Sequence, residues 1–267
     1  MPQTVSAHFS SASFRKADRL IVAVVVLWVL TMVATPIALW VFGKPGLYAF
    51  INAGVLTQVA ASLTVLARTQ GARPALLSAL TVPPLGWLAE FIGHTTGFPF
   101  SPYKYTDILQ PQLGGVPLLI PLAWLMMFPP AWAVAQVIVD GTPHAPQLGR
   151  LFRAGVAALA FTAWDLFLDP QVVAWDFWRW ATPGAYFGIP LANFLGWLLV
   201  SFTISYLVMP RQLPVAPLVS MYVITWLLQT IGQVFFWGLP RPALFGFLGM
   251  GGMLTWAYTR RARKVEP

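Results

Sequence analysis

The chain has 267 residues, of which 58% are hydrophobic and only 9% are charged. A soluble domain carries about 25% charged residues, so this chain has too little polar surface for a water-soluble globule, and we expect an integral membrane protein. Cysteine is absent, which excludes disulfides, thiolate metal sites and cysteine nucleophiles. The net charge of +8 lies in basic residues that flank hydrophobic runs, so it indicates membrane topology and no nucleic-acid partner.

Eight hydrophobic runs are long enough to cross a bilayer, which takes about 20 mostly apolar residues. In chain order they are residues 20–42, 47–67, 74–93, 115–139, 150–168, 188–209, 214–237 and 240–259. They predict an all-α, polytopic helical bundle of about eight transmembrane helices, in a single domain over residues 1–267. Residues 1–19 are expected to form a polar N-terminal tail and residues 260–267 a basic C-terminal tail. The first run is longer than the apolar part of a signal peptide, about 7–15 residues, so we expect it to be retained.

The distribution of Lys and Arg sets the predicted orientation. With eight spans, 12 of the 16 basic residues lie on the side that holds both termini. The positive-inside rule then places both termini in the cytoplasm of a multi-pass cell-membrane protein, with membrane lipid around it. Two long loops, residues 94–114 and 170–188, would lie on the outer side. Long loops rich in aromatic residues commonly carry function or form a lid.

Three acidic residues, Glu90, Asp165 and Asp169, lie inside or at the edge of runs that must lie in lipid. No Lys or Arg in the same runs is available to pair with them. A charged group at membrane depth costs roughly 2.5–3.5 kcal/mol on insertion scales and usually has a function. We therefore expect acid–base or polar-recognition chemistry on a ligand that resides in the bilayer.

The predicted topology places these acids close together in the outer half of the membrane. Asp165 and Asp169 are four residues apart, so they share a helix face at a rise of about 6 Å, and Pro170 is expected to end that helix. Glu90 lies near the outer end of its helix, with His94 on the same face at i+4. We expect one polar pocket that opens outward. Asn193 of the sixth helix is expected at the same depth. The two outer loops above these residues carry further polar side chains, namely Tyr103, Tyr105, Asp107, Asp176 and Tyr186.

Two neighbouring carboxyl groups in low dielectric do not readily both ionise, so one is expected to remain protonated. Protonation of an alkene requires such a pair, because the neutral acid donates the proton and the carboxylate stabilises the cation that forms. Structural alternatives remain open at each position. Asp169 before Pro170 could simply end a helix at the interface, Glu90 could form a structural hydrogen bond with His94, and Asn193 could bond between helices.

Other chemistries lack the residues that they need. A metal site requires several converging His and carboxylate ligands, and one His lies near these acids, so no metal is expected. A prenyl-diphosphate site would need a second acidic cluster and basic residues, and a retinal Schiff base would need a lysine within a span. No glycine motif for nucleotides follows a strand, so no cofactor is expected.

Two separated sequence blocks carry most of the remaining polar and aromatic residues of this region. The first block is EFIGHTTGFPFSPYKY, from Glu90 to Tyr105, followed by Gly-Val-Pro at residues 115–117 and by Trp124. The second comprises DLFLDP at residues 165–170, Trp-Arg-Trp at 178–180 and GAYFGIPLANFLGW at 184–197. In this order, the two blocks resemble the membrane carotenoid 1,2-hydratase family (CruF type), which includes the bisanhydrobacterioruberin hydratases. One departure is Ser-Pro at residues 101–102, where the family more often has a glycine before the aromatic pair. This departure affects the expected turn of the loop.

The resemblance implies cofactor-independent addition of water to the terminal 1,2 double bond of an acyclic carotenoid, which gives a tertiary alcohol. The partners would then be a lipid-soluble carotenoid and water. We take Asp165, Glu90 and then Asp169 as candidate catalytic residues, in which Asp165 or Glu90 could be the acid and the neighbouring carboxylate would stabilise charge. The candidates for binding substrate or water are His94, Asn193, Tyr103, Tyr105, Trp124, Tyr186 and Trp197, because rings stabilise a cation and polar groups position water.

Two alternatives use the same buried acids. A lycopene-type cyclase would protonate the same alkene, but the cation would be captured within the molecule, giving an isomer of the substrate. A proton-coupled transporter or lipid carrier would use the acids as a relay, which requires polar groups that reach the cytoplasmic half. An oxygen-dependent hydroxylase is disfavoured because its iron ligands are missing.

Overall fold

The structure, a computed structural model, describes residues 11–140, 146–210 and 212–262, without the side chains of residues 11–18 and 146–148. These residues form seven helices and four short strands. The helices are α1 (Ser11–Gln70), α2 (Ala72–Thr96), α3 (Leu119–Val139), α4 (Pro146–Ala174), α5 (Leu191–Val208), α6 (Val215–Phe235) and α7 (Pro240–Ala262). The strands are β1 (Tyr103–Tyr105), β2 (Gln112–Leu113), β3 (Val116–Pro117) and β4 (Trp178–Trp180). The all-α prediction is confirmed.

Helix α1 contains the first two predicted spans, separated by a break at Gly43. This glycine has φ 67° and ψ −156°, a conformation that side chains with a Cβ rarely adopt. The two halves fold back on each other, because a Cβ added at Gly54 would lie 3.2 Å from the Sδ atom of Met32. Gly54 and Met32 are equally distant from Gly43 in sequence. The 60 residues of α1 therefore form an antiparallel hairpin.

Six of the described helices, α1 to α6, are long and apolar enough to cross a membrane. Helix α7, which matches the predicted span 240–259, does not belong to this group. Large apolar side chains are exposed on the outside of the bundle, for example Leu80 (69%) and Leu195 (66%), as expected for a surface in contact with lipid. The protein is therefore a multi-pass membrane protein, while the number of spans and the side of the termini stay predictions. Helix α1 begins at Ser11, within the segment predicted as a tail.

Helix α3 is the centre of the bundle. It packs against α1, α2, α4, α6 and α7, and all but a few of its side chains are buried. Trp124, Phe128 and Trp132 point from it into the core and are fully buried. A helix that is apolar on all sides is typical of such a central position. The other helices are placed around α3, so their inward faces meet near its aromatic side chains.

The prediction that Pro170 ends its helix is wrong, because α4 continues through Pro170 to Ala174. Proline has no N–H, so the carbonyl of Leu166, four residues earlier, loses its helical donor. The hydroxyl of Tyr186 donates to that carbonyl oxygen at 3.0 Å. The side-chain amide of Gln233 donates to the next carbonyl, that of Phe167, at 2.6 Å. The Tyr186 hydroxyl, from outside the helix, therefore replaces the one donor that Pro170 lacks, and α4 continues.

The two outer loops are joined by an antiparallel pairing of β1 with β4. Tyr103 is opposite Trp180, and Tyr105 is opposite Trp178, on the face that points into the bundle. The middle pair, Lys104 and Arg179, points outward and is exposed. This alternation is the two-residue period of a strand with one buried face. The paired strands therefore cover the outer end of the bundle with aromatic rings.

We predict that the hydroxyl of Tyr186 stabilises the fold only because Pro170 is present. Tyr186→Phe should lower the free energy of unfolding by about 1–2 kcal/mol, because it leaves the buried carbonyl of Leu166 unpaired. In a Pro170→Ala background, where residue 170 regains an N–H, the same change should cost less. Thermal unfolding in detergent measures both, with Tyr258→Phe, at a 75% exposed position, as the control. An equal loss in both backgrounds would contradict the assignment.

Candidate active site

Glu90, on α2, is buried and accepts hydrogen bonds from three neutral donors. The hydroxyl of Tyr103 donates to its Oε2 atom at 2.5 Å, and that of Tyr105 to the same atom at 2.8 Å. The indole N–H of Trp124, on α3, donates to Oε1 at 3.0 Å. Burial raises the pKa of each tyrosine well above the usual value for a phenol, and the negative charge of Glu90 raises it further. Both hydroxyls therefore keep their protons and act as donors.

Asp165 and Asp169, on α4, are bridged by one amide from α5. The Nδ2 atom of Asn193 donates to Oδ2 of Asp165 at 3.1 Å and also to Oδ2 of Asp169. The two carboxyl groups are therefore close neighbours, joined through this one amide. Both side chains are fully buried, and the Oδ1 atom of each has no hydrogen-bond partner among the described residues. The pair thus has a shared donor on one side and a free oxygen on each group.

The two carboxyl clusters meet at one small cavity of about 10 Å³, which is lined by Glu90 from the first cluster and by Asp169 and Asn193 from the second. Its remaining wall consists of aromatic rings from the outer loops and α5. This volume is about what one enclosed water molecule needs. Asp165 does not line the cavity. A single water there would have several polar partners.

Phe100, in the loop after α2, separates the helices that carry these groups. Its ring is 1% exposed and lies between Gly93 of α2 and Gly196 of α5. A Cβ added at Gly93 would lie 2.5 Å from this ring, and one added at Gly196 would lie 2.7 Å from it. Each glycine comes three residues after a polar site residue, Glu90 or Asn193. Only glycine at both positions leaves room for the ring at this spacing.

A stack of aromatic rings lies directly next to the carboxyl groups. Trp124, which binds Glu90, stacks on Trp197 with ring centroids 4.7 Å apart. Phe161 lies 5.1 Å from Trp124 and 5.5 Å from Trp197 in near-parallel arrangement. Trp164 meets Trp197 edge-on at 6.1 Å. The faces of such rings are negative, so the wall suits a cation that forms beside them.

Two of the candidates from the sequence, His94 and Tyr186, make no hydrogen bond to the acids. The ring of His94 lies 6.0 Å from that of Tyr105, farther out than the carboxyl groups, and its main-chain oxygen accepts from Lys104 at 3.3 Å. Tyr186 directs its hydroxyl to the main chain of α4, as described above, and its ring packs on Phe194 and Phe245. The structure brings the other candidates together around the two clusters, namely Glu90, Asp165, Asp169, Asn193, Tyr103, Tyr105, Trp124 and Trp197.

Sequence reasoning missed the roles of Phe100, Trp178 and Trp180, which complete the wall of the small cavity. The two tryptophans had a signal, because their alternation with Arg179 is that of a strand. Asp107 and Asp176, predicted in the loops above the pocket, are not part of the clusters. Asp176 pairs instead with Arg179 at 2.6 Å on the outer surface. Within the described ranges, no group of three or more His, Cys, Asp or Glu side chains is arranged as metal ligands.

Comparisons with known proteins agree with the resemblance in the sequence. The family model described as "Carotenoid biosynthesis protein" matches residues 49–253. The chain is 31% identical over 124 residues to a bisanhydrobacterioruberin hydratase from Haloarcula japonica. That alignment covers 46% of this chain and only 40% of the relative's length. No solved structure matches the chain. Since the family model covers most of the sequence, including every residue of both carboxyl clusters, the chain belongs to the carotenoid biosynthesis protein family.

Proposed function

We propose that the protein is a cofactor-independent carotenoid hydratase that adds water to the terminal 1,2 double bond of an acyclic carotenoid. The observation that supports this most directly is the meeting of Glu90 and Asp169 at a water-sized cavity beside stacked aromatic rings. The hydratase activity named for the relative from Haloarcula japonica agrees with this reaction. We place the protein in the cell membrane on the basis of its charge distribution.

In the proposed first step, Asp169 is the acid. A proton shared by Asp165 and Asp169 leaves Asp169 and bonds to the less substituted alkene carbon, C2. The π electrons form the new C–H bond, so C1 becomes a tertiary cation and the aspartate pair becomes fully ionised. Asp169 takes this role because it lines the cavity, while Asp165 does not. Asp165 is then a positioning residue that holds the shared proton.

In the second step, water captures the cation. The water oxygen forms a bond to C1, and one of its protons passes to the aspartate pair, which restores the starting state. Glu90 is suited to the carboxylate form, because both of its oxygens accept hydrogen bonds from neutral donors. Its charge and the faces of Trp124 and Trp197 stabilise the cation, and each ring contributes about 1–2 kcal/mol when desolvated. The proton balance closes without any other reactant.

We predict that each of the three carboxyl groups is required for turnover. Asp169→Asn, Asp165→Asn and Glu90→Gln should each lower conversion by about 10²–10⁴-fold, the usual range for loss of a general acid or base. The assay is expression in a lycopene-producing host, followed by separation and mass analysis of the pigments.

The matched control is Asp107→Asn, which changes an exposed acid just after β1. This variant should convert the carotenoid normally. Protein levels in the membrane fraction should be equal for all four variants. Unchanged turnover in all three carboxyl variants would remove the proposed acid from the mechanism.

We also predict that the new hydroxyl oxygen comes from water. In water labelled with heavy oxygen, the product should gain the mass of one labelled water per hydrated end. A cyclase would give a product with the mass of the substrate, and a hydroxylase would incorporate oxygen from labelled dioxygen. Either of these two results would refute hydration.

A further inference from the structure

A large apolar cavity lies beside the carboxyl clusters, among α1, α3, α4 and α6. Its volume is about 380 Å³, and most of its lining is aliphatic or aromatic. Three glutamines lie on its wall, Gln58, Gln171 and Gln229, and the first two are hydrogen bonded within the protein. Gln58 donates to Thr225 at 3.4 Å, and Gln171 accepts from Gln233 at 3.2 Å. The cavity therefore suits a ligand that is mainly hydrocarbon.

The cavity is bordered by side chains on the outer, lipid-facing surface of the bundle. Val33 of α1, Ile231 of α6 and Phe236 just after α6 all line it, and they are 49%, 46% and 39% exposed. All three are apolar, and no charged side chain lines the cavity. A hydrocarbon could thus pass between α1 and α6 from the bilayer without contact with an ionised group. This border is the mouth of the cavity.

A second apolar cavity of about 60 Å³ lies between the large cavity and the acids. It shares walls with the large cavity at five positions, which are Ile51, Val55, Met126, Leu168 and Val172. On its other side it shares Trp178 and Trp197 with the small cavity that Glu90 and Asp169 line. The three cavities thus adjoin in a row from the lipid-facing surface to the carboxyl groups.

Helix α4 explains why the row leads to the acids. Trp164, Leu168 and Val172 are spaced by four residues and form one face of α4, which lines the apolar cavities. Asp165 comes directly after Trp164, and Asp169 comes directly after Leu168. The two aspartates therefore lie about 100° farther around the helix than the apolar face. A chain that runs along the apolar face of α4 therefore reaches the acidic face at its side.

We propose that these cavities form a channel that binds the acyclic polyene chain and delivers its end from the bilayer to Asp169. The inference rests on the proposed function and names where its substrate binds. A polyene is long, thin and apolar. It would extend from the carboxyl cluster through the large cavity, with its remaining length in the lipid outside the mouth.

The test is to narrow the channel where the two apolar cavities share a wall. Val55→Phe places a ring into existing empty space, so it avoids the overpacking that destabilises filled cores. Leu56→Phe, on the next residue of α1, is the matched control, because Leu56 is 51% exposed on the lipid side and does not line the cavity. Each full-length variant is purified in detergent with lycopene, and the pigment retained per protein after gel filtration is measured by absorbance. Conversion is measured in the lycopene-producing host.

Val55→Phe should lower both retention and conversion by at least about tenfold, which corresponds to about 1.4 kcal/mol of binding free energy. Leu56→Phe should match the wild type. Asp169→Asn should retain lycopene but not convert it, which separates binding from chemistry. If the wild type converts lycopene and Val55→Phe does so equally well, the channel is refuted and the function stands. A wild type that neither retains nor converts lycopene would overturn the proposed function and the channel together.

Discussion

Three carboxyl groups are buried in this bundle, and every hydrogen-bond donor that reaches them is neutral. None of the three has a salt-bridge partner within the described ranges, where the ion pairs involve Arg153 and Arg179 near the surface. A buried charge without a cation is tolerated only if hydrogen bonds or protons compensate it. Phenol, indole and amide groups from β1, α3 and α5 supply these bonds. Much of the architecture at the outer end serves to hold these donors in place.

The aromatic residues of the outer end have two roles that depend on each other. Tyr103 and Tyr105 hold Glu90 through their hydroxyls, while their rings pack against Trp178 and Trp180 of the opposite strand. The same layer keeps bulk water away from the acids, which strengthens each hydrogen bond beneath it. Phe100 fixes the spacing of α2 and α5 below this layer. Polar chemistry and apolar packing are therefore built from the same side chains.

The convergence of the acids could be predicted from the sequence, because it follows from topology and helix geometry alone. Asp165 and Asp169 had to share a face, and Glu90 and Asn193 had to lie at the same depth if the spans alternate in direction. The bridge through Asn193 and the bonds from both tyrosines agree with that expectation. The sequence favoured Asp165 or Glu90 as the acid, whereas Asp169 is the aspartate that lines the small cavity, because a difference of one helical turn depends on the packing of neighbouring helices. Which of these groups is the acid stays a prediction.

One error arose where a distant residue replaces a local interaction. A proline normally ends a helix, but Pro170 is tolerated because Tyr186, far away in sequence, donates to the carbonyl of Leu166. Tyr186 is also a predicted substrate- or water-binding residue, and that role stays a prediction. His94 has helical spacing from Glu90 but lies beside the tyrosines that bind Glu90. Local rules do not foresee such long-range partners, and cavities are set by packing that one sequence does not reveal.

The proposed channel, open to lipid at one end and closed by the acids at the other, has a consequence for carotenoids with two reactive ends. A blind passage of this kind would hold one terminus at a time, because the rest of a stiff polyene would extend outward. The far terminus becomes accessible only after the molecule has withdrawn, turned around in the bilayer and entered again. Hydration at both termini would therefore be distributive, and the singly hydrated carotenoid would be a free intermediate that neighbouring enzymes could intercept.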